Sequence, residues 1–193
     1  MPSSDAGRLR RRGSGLDDAL LDAAWQELQR SGYTDFSLNA VAQLAKTSRP
    51  VLSRRWPSRA QLVLAAIRRR VPSLRIDDIP EAGTLRGDLL ALFRLLRERY
   101  ENIGPAIMNG LASELGDLPP GTLDLVPTII ETIAVRAAGR GEIGPKVVPP
   151  HILAVPAALL RHELVVERRR PTDRWLARLV DDIAIPLIEL ASR

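Results

Sequence analysis

Between Ser37 and Arg59 the chain gathers side chains suited to phosphate and to the edges of bases. Thr47, Ser48, Arg49 and Val51 bring two hydroxyls, a guanidinium and a methyl surface close together. Such groups read donors, acceptors and methyls in a DNA groove. Lys46, Arg54, Arg55 and Arg59 add cations that can clamp phosphates, with Pro50 and Ser53 among them. The plain alternative is a helical hairpin whose basic face is merely solvated.

Reaction chemistry does not assemble. The two histidines, His151 and His162, stand eleven positions apart without a carboxylate pattern around them, so no catalytic residue and no metal ligand is assigned. A glycine-rich phosphate loop after a strand and a nucleophile elbow are both missing, and no cofactor is expected. Cysteine is absent, which removes thiolate metal sites and disulfides and fits a cytoplasmic protein. No apolar run reaches the length of a membrane span, and the N-terminus lacks the apolar core of a signal peptide.

Charge is divided unevenly. Residues 1–75 hold 14 basic against 6 acidic side chains, and residues 76–193 hold 14 against 17. A basic N-terminal part on a mildly acidic body is the footprint of a nucleic-acid binder. Arginine supplies nearly all of the positive charge, but a general bias toward arginine would not thin out the acids in one region.

The elements that position these residues are helical. Residues 1–15, with Gly7, Gly13, Gly15 and Arg8, Arg10, Arg11 and Arg12, read as a disordered basic arm. Leu16, Leu20, Ala23, Ala24 and Leu28 mark one face of a helix over 16–30, with Asp17, Asp18 and Asp22 suited to its start and Gly32 to its stop. Ser37 caps a second helix whose inner face is Leu38, Val41, Ala42 and Ala45. After the turn Ala45-Lys46-Thr47, Ser48 caps a third, with Pro50 in its first turn and Leu52 and Trp56 facing inward. Ser58 caps a fourth that ends in Arg68-Arg69-Arg70. Four of the seven Phe, Trp and Tyr residues fall within 25–56, enough to give this unit its own core. Two short helices joined by a tight turn make a helix-turn-helix.

The run Gly32-Tyr33, Ser37-Leu38-Asn39-Ala40-Val41-Ala42 and Ser48 through Leu62 (SRPVLSRRWPSRAQL) resembles the N-terminal domain of TetR-family transcriptional regulators. The resemblance implies an all-helical homodimer with a ligand-responsive C-terminal domain. Three positions depart from the family's pattern. Lys46 stands where glycine is frequent. Ser53 stands where a tyrosine commonly touches the DNA backbone, leaving Arg54 and Arg55 to replace that contact. Arg59 stands where lysine is usual and keeps the charge.

Pro72 to Gly83 reads as a linker between a DNA-binding domain at 16–72 and a helical domain at 84–193. The fold class is all-α, with about nine helices. In the C-terminal domain Phe93, Leu96, Ile107, Met108, Leu111 and Ile130 are candidate pocket residues, with Asn109, Ser113 or Glu114 as polar handles. Pro127, Pro156 and Pro186 are expected to kink their helices. Val155, Leu159, Leu160, Leu176, Leu179, Ile183 and Leu187 recur at helical spacing on the last two helices and would form a dimer face.

The expected function is a sequence-specific regulator, a repressor released from a palindromic operator by an unidentified small-molecule effector. Its partners are double-stranded DNA and a second copy of the chain, with no membrane. A non-specific architectural DNA binder and a helical ligand-binding protein without DNA function are the alternatives.

Overall fold

The computed structural model describes residues 5–71, 74–114, 116 and 125–193, with side chains from residue 15 onward except 125. Every regular element among the described residues is helical. The chain divides into two compact units, 1–72 with 109–118, and 73–108 with 119–193. The first therefore also gathers 109–118, a stretch distant in sequence, which no local pattern announces.

In the N-terminal unit α1 (Asp5–Ser31) packs along α2 (Leu38–Leu44) and α4 (Arg59–Arg70), and α2 against α3 (Arg49–Arg55). Leu20, Ala24, Leu28, Val41, Leu52, Leu62 and Val63 are sealed in its core, closed by Tyr33 and Phe36 from the connector. Leu16 is exposed instead of joining that face.

The start of α1 corrects the reading of 1–15 as a disordered arm. Helix runs from Asp5 despite Gly7, Gly13 and Gly15. Extending a helix already nucleated costs far less than starting one, and each glycine opposes it by only about 1 kcal/mol. Residues 1–4, and the side chains of Arg8, Arg10, Arg11 and Arg12, lie outside the described part. With the helix starting earlier, Asp17, Asp18 and Asp22 do not sit at its N-terminus. They are ion-pair partners: Asp18 and Asp22 bind Arg69 at 2.5 and 3.1 Å, and Asp22 also binds Arg70 at 3.3 Å. Arg69 holds the Asp22 carboxyl below its ordinary value. The arginines ending α4 thus fasten it to α1.

In the C-terminal unit α5 (Leu85–Ile103) packs on α7 (Leu125–Gly139), and α7 on α8, which spans 150–166 as α-helix over Pro150–Arg161 and π-helix over His162–Val166. The last helix, α9 (173–191), is α over Asp173–Arg178, π over Leu179–Ala184 and α over Ile185–Ala191. Between α5 and α7, α6 spans Pro105–Ala112. Leu89, Leu92, Phe93, Ile130, Ile133, Leu153, Leu176 and Val180 form the centre of this core. Asp88 is buried among them and is held by the Ala82 N–H at 2.7 Å and by Arg140 at 3.1 Å.

The three prolines behave differently from one another. Pro127 lies in the first turn of α7, where its missing N–H breaks no helical bond, so no kink is required there. Pro156 is accommodated inside the α-helical part of α8. Pro186 follows the π segment of α9. It has no N–H to give the Asp182 carbonyl and its ring would crowd that carbonyl, and the widened turn before it relieves the crowding.

Burial also divides the expected dimer face. Leu160, Leu176 and Leu179 are at most 3% exposed inside a single chain, so they pack the core and are withdrawn from a partner surface. Val155, Ile183 and Leu187 are half-buried and Leu159 is exposed, as is Leu190 beside them in sequence. One broad apolar face on each helix is split between core and surface, and periodicity alone does not separate the two.

Candidate nucleic-acid interface

The α2–α3 pair is built by its caps. The Ser37 hydroxyl accepts the Ala40 N–H at 3.4 Å, and the Ser58 hydroxyl accepts the Gln61 N–H at 3.1 Å at the head of α4. The end of α2 is a Schellman turn: the Thr47 N–H donates to the Ala42 carbonyl at 2.9 Å and the Lys46 N–H to Gln43 at 3.1 Å. That motif needs a left-handed residue, and Lys46 takes it with φ 51°. The turn therefore explains why glycine suits this position, and the lysine carries a backbone cost in exchange for a cation. Lys46→Gly should raise the unfolding free energy by about 1 kcal/mol. It should also lower the salt slope of DNA binding by about 0.9 per protomer. Urea denaturation and binding titrations at several salt concentrations check the two halves separately.

Ser48 sits at the cap of α3, yet its hydroxyl makes no capping bond. The exposed hydroxyl is left for an outside partner. Along α3 each residue turns by about 100°, so Pro50 and Arg54 lie nearly opposite the sealed Leu52, with Val51 and Ser53 to the sides. Pro50, Ser53 and Arg54 are exposed, Val51 and Thr47 half-buried. Among the described residues neither Arg49 nor Arg54 has a carboxylate partner. A groove of about 280 Å³ is lined by Phe36, Ser37, Leu38, Asn39, Arg49 and Arg59, residues at or next to the starts of α2, α3 and α4.

Two of the expected phosphate clamps are already engaged. Arg55 donates to Asp17 of α1 at 2.5 Å and to its own helix at the Val51 carbonyl. It fastens α3 to the body of the unit. Arg59 is ion-paired with Glu114 and lies 4.7 Å above the Tyr33 ring. Glu114, expected as a polar handle for a ligand, belongs with the N-terminal unit. Asp17, Tyr33 and Glu114 thus join the site without a sequence signal, because only the fold brings them to Arg55 and Arg59.

The expected pocket residues do not form one group. Phe93 and Ile130 are buried in the C-terminal core with Leu96 and Met108 packed against it. Ile107 is buried too, while Leu111 falls in the N-terminal unit. A separate cavity of about 250 Å³ in the C-terminal unit is lined by Tyr100, Glu101, Pro105, Leu164 and Arg168-Arg169-Arg170 and shares none of the six. Among the described residues no three metal-ligating side chains converge, and no helix is long and apolar enough to cross a membrane.

A helical head that seals one face of a short helix and leaves cations exposed on it, joined to a separate helical unit, defines a helix-turn-helix DNA-binding protein. Residues 20–66 match the model of bacterial regulatory proteins of the tetR family, and residues 79–183 match the tetracyclin repressor-like C-terminal domain. The chain belongs to the tetR family and is a DNA-binding transcriptional regulator. It is 34% identical, over 94% of its length and 98% of the relative's, to the DNA-binding transcriptional repressor TetR of Mycobacteroides abscessus. It is 31% identical, over 86% of its length and 85% of the relative's, to an uncharacterized HTH-type transcriptional regulator of Mycobacterium tuberculosis. The crystal structure of a tetR-family regulator from Streptomyces coelicolor shares the fold, with a TM-score of 0.55 at 19% identity over 92% of this chain and 82% of that one.

Proposed function

We propose that the protein is a cytoplasmic repressor that binds a palindromic operator as a homodimer and releases it when a small molecule occupies the C-terminal unit. The observation that carries the reading is α3, where Arg49 and Arg54 are exposed and without carboxylate partners among the described residues, and Arg54 lies nearly opposite the sealed Leu52. Two guanidiniums without a carboxylate partner, on a helix of a size to enter a major groove, favour base contact. Arg54, first read as a backbone clamp, is better placed for a base edge, because it lies nearly opposite Leu52. Ser48, with its uncapped hydroxyl, and Thr47 and Val51 complete the reading end. Lys46 and Ser37 flank it toward the phosphates.

The second copy would pair through Val155, Leu159, Ile183 and Leu187, which stay at the surface of α8 and α9. Two-fold symmetry then sets half-sites one helical turn apart, roughly 34–36 Å. The effector would lie against Phe93, Leu96, Ile107, Met108 and Ile130, and by linkage it weakens DNA binding as much as DNA weakens its own. The name of the Mycobacteroides relative supports repression over activation.

Selection of bound duplexes from a random pool tests the reading. A palindromic consensus with half-sites at that spacing is the expected result. Recovery of unrelated sequences with equal affinity would instead support an architectural binder, and no retention of duplex would leave a ligand-binding protein without DNA function.

A further inference from the structure

Arg59 opens α4 at the edge of the groove that it shares with Arg49. Its guanidinium is enclosed on three sides within the N-terminal unit. The Glu114 carboxylate binds it, the Tyr33 ring lies 4.7 Å below it, and the Thr34 carbonyl accepts from it at 3.5 Å. Side-chain exposure is 34% for Arg59 and 23% for Glu114, so the pair is partly shielded from solvent and salt. Close packing sets this geometry. A Cβ on Gly110 would stand 2.5 Å from the Tyr33 ring, so only glycine lets the end of α6 lie flat on that ring. Glu114 follows four residues later, beside Arg59. Arg59 in turn holds the Glu114 carboxyl below its ordinary range.

A carboxylate and a phosphate oxygen ask for the same donors on a guanidinium. We propose that Glu114 is an internal substitute for a DNA phosphate: it occupies Arg59 in the free protein, and the DNA complex gains the Arg59 contact only when Glu114 withdraws. The inference rests on the reading that the Arg49–Arg59 groove faces DNA. Glu114 stands two residues beyond the end of α6.

The test uses the full chain and a labelled random-sequence duplex, whose binding reports phosphate contacts without knowledge of the operator. Affinity is measured across a salt series for wild type, Glu114→Gln, Arg59→Ala and the double variant. Glu114→Gln should bind about fivefold tighter per protomer, with a salt slope steeper by about 0.9 per protomer, the signature of one more neutralised phosphate. In the Arg59→Ala background the same substitution should leave the slope unchanged and give none of the tightening. A merely structural carboxylate would not produce that pattern. Unchanged or weaker binding by Glu114→Gln overturns the inference. So does tightening that persists without Arg59, which would mean that only long-range charge had changed. If the wild-type chain binds no duplex at all, the DNA-binding reading falls first and the inference with it. Duplex binding by wild type with no response to Glu114→Gln removes the inference alone.

Discussion

Arg54→Ala is expected to cost the operator complex about 1–3 kcal/mol per half-site and to relax specificity at the base pair beneath it. The proposed dimer on a palindrome would make the contact twice, so the loss there should be about double. Thermal stability should stay at the wild-type value, because Arg54 is exposed and has no carboxylate partner in the described protein. Arg55→Ala should behave in the opposite way. That guanidinium spans Asp17 and the Val51 carbonyl, so its removal loosens α3 and affects every duplex alike. Binding titrations against the selected operator and against one altered at a single position distinguish the two. A uniform loss across sequences for Arg54→Ala would return that residue to the phosphate backbone.

Arg140→Ala should lower the stability of the C-terminal unit by about 2–4 kcal/mol, the largest effect expected from a single side chain outside the apolar core. Asp88 is 2% exposed and cannot be left charged without a partner. Arg140 donates to it at 3.1 Å and to Glu142 at 2.5 Å, while Glu142 accepts the Leu85 N–H at 2.6 Å. Burial works against the Glu142 charge, but the Leu85 N–H and Arg140 outweigh it and keep the carboxyl below its ordinary value. One guanidinium therefore ties the first turn of α5 to the chain leaving α7. The Ala82 N–H still serves Asp88 in the variant and Arg140 is about a third exposed, so the estimate lies below that for a fully buried pair. Urea denaturation followed by circular dichroism measures it, and adding Asp88→Asn should recover part of the loss. A decrease well under 1 kcal/mol would mean that water replaces the guanidinium.

What the chain announced in advance was local. Ser37 and Ser58 are legible as caps because a hydroxyl three residues before a free N–H has one favoured use at a helix start. The Leu38, Val41 and Leu52 spacing likewise places α2 and α3 with their apolar sides inward. Ser48 looks the same in sequence, yet its hydroxyl makes no capping bond to its helix, which no spacing reveals. In the sequence Asp17 suits a helix start, because Gly7, Gly13 and Gly15 speak against a regular element before it. Its actual partner, Arg55, lies 38 residues on. Glu114 and Arg59 are 55 residues apart, and their meeting depends on the segment 109–118 joining the N-terminal unit. Leu160, Leu176 and Leu179 carry the same hydrophobic signal as Leu159 and Ile183, so the division between inner core and outer face becomes visible only when the neighbouring helices are in place.

The seven-residue α3 is too short to persist as a helix alone. It exists because Leu52 is sealed, Trp56 closes its end and Arg55 is tethered to α1. The proposed reading surface is thus finished before any duplex arrives, and association should order side chains but fold no backbone in α3. Calorimetry should then find a binding heat capacity no larger than the docked surface requires, without the large negative excess that accompanies coupled folding. Encounter should be fast as well, limited by charge steering and orientation and slowing steeply with added salt. The sealed Leu52 that holds α3 against the body of the unit is in this sense a kinetic feature of the protein.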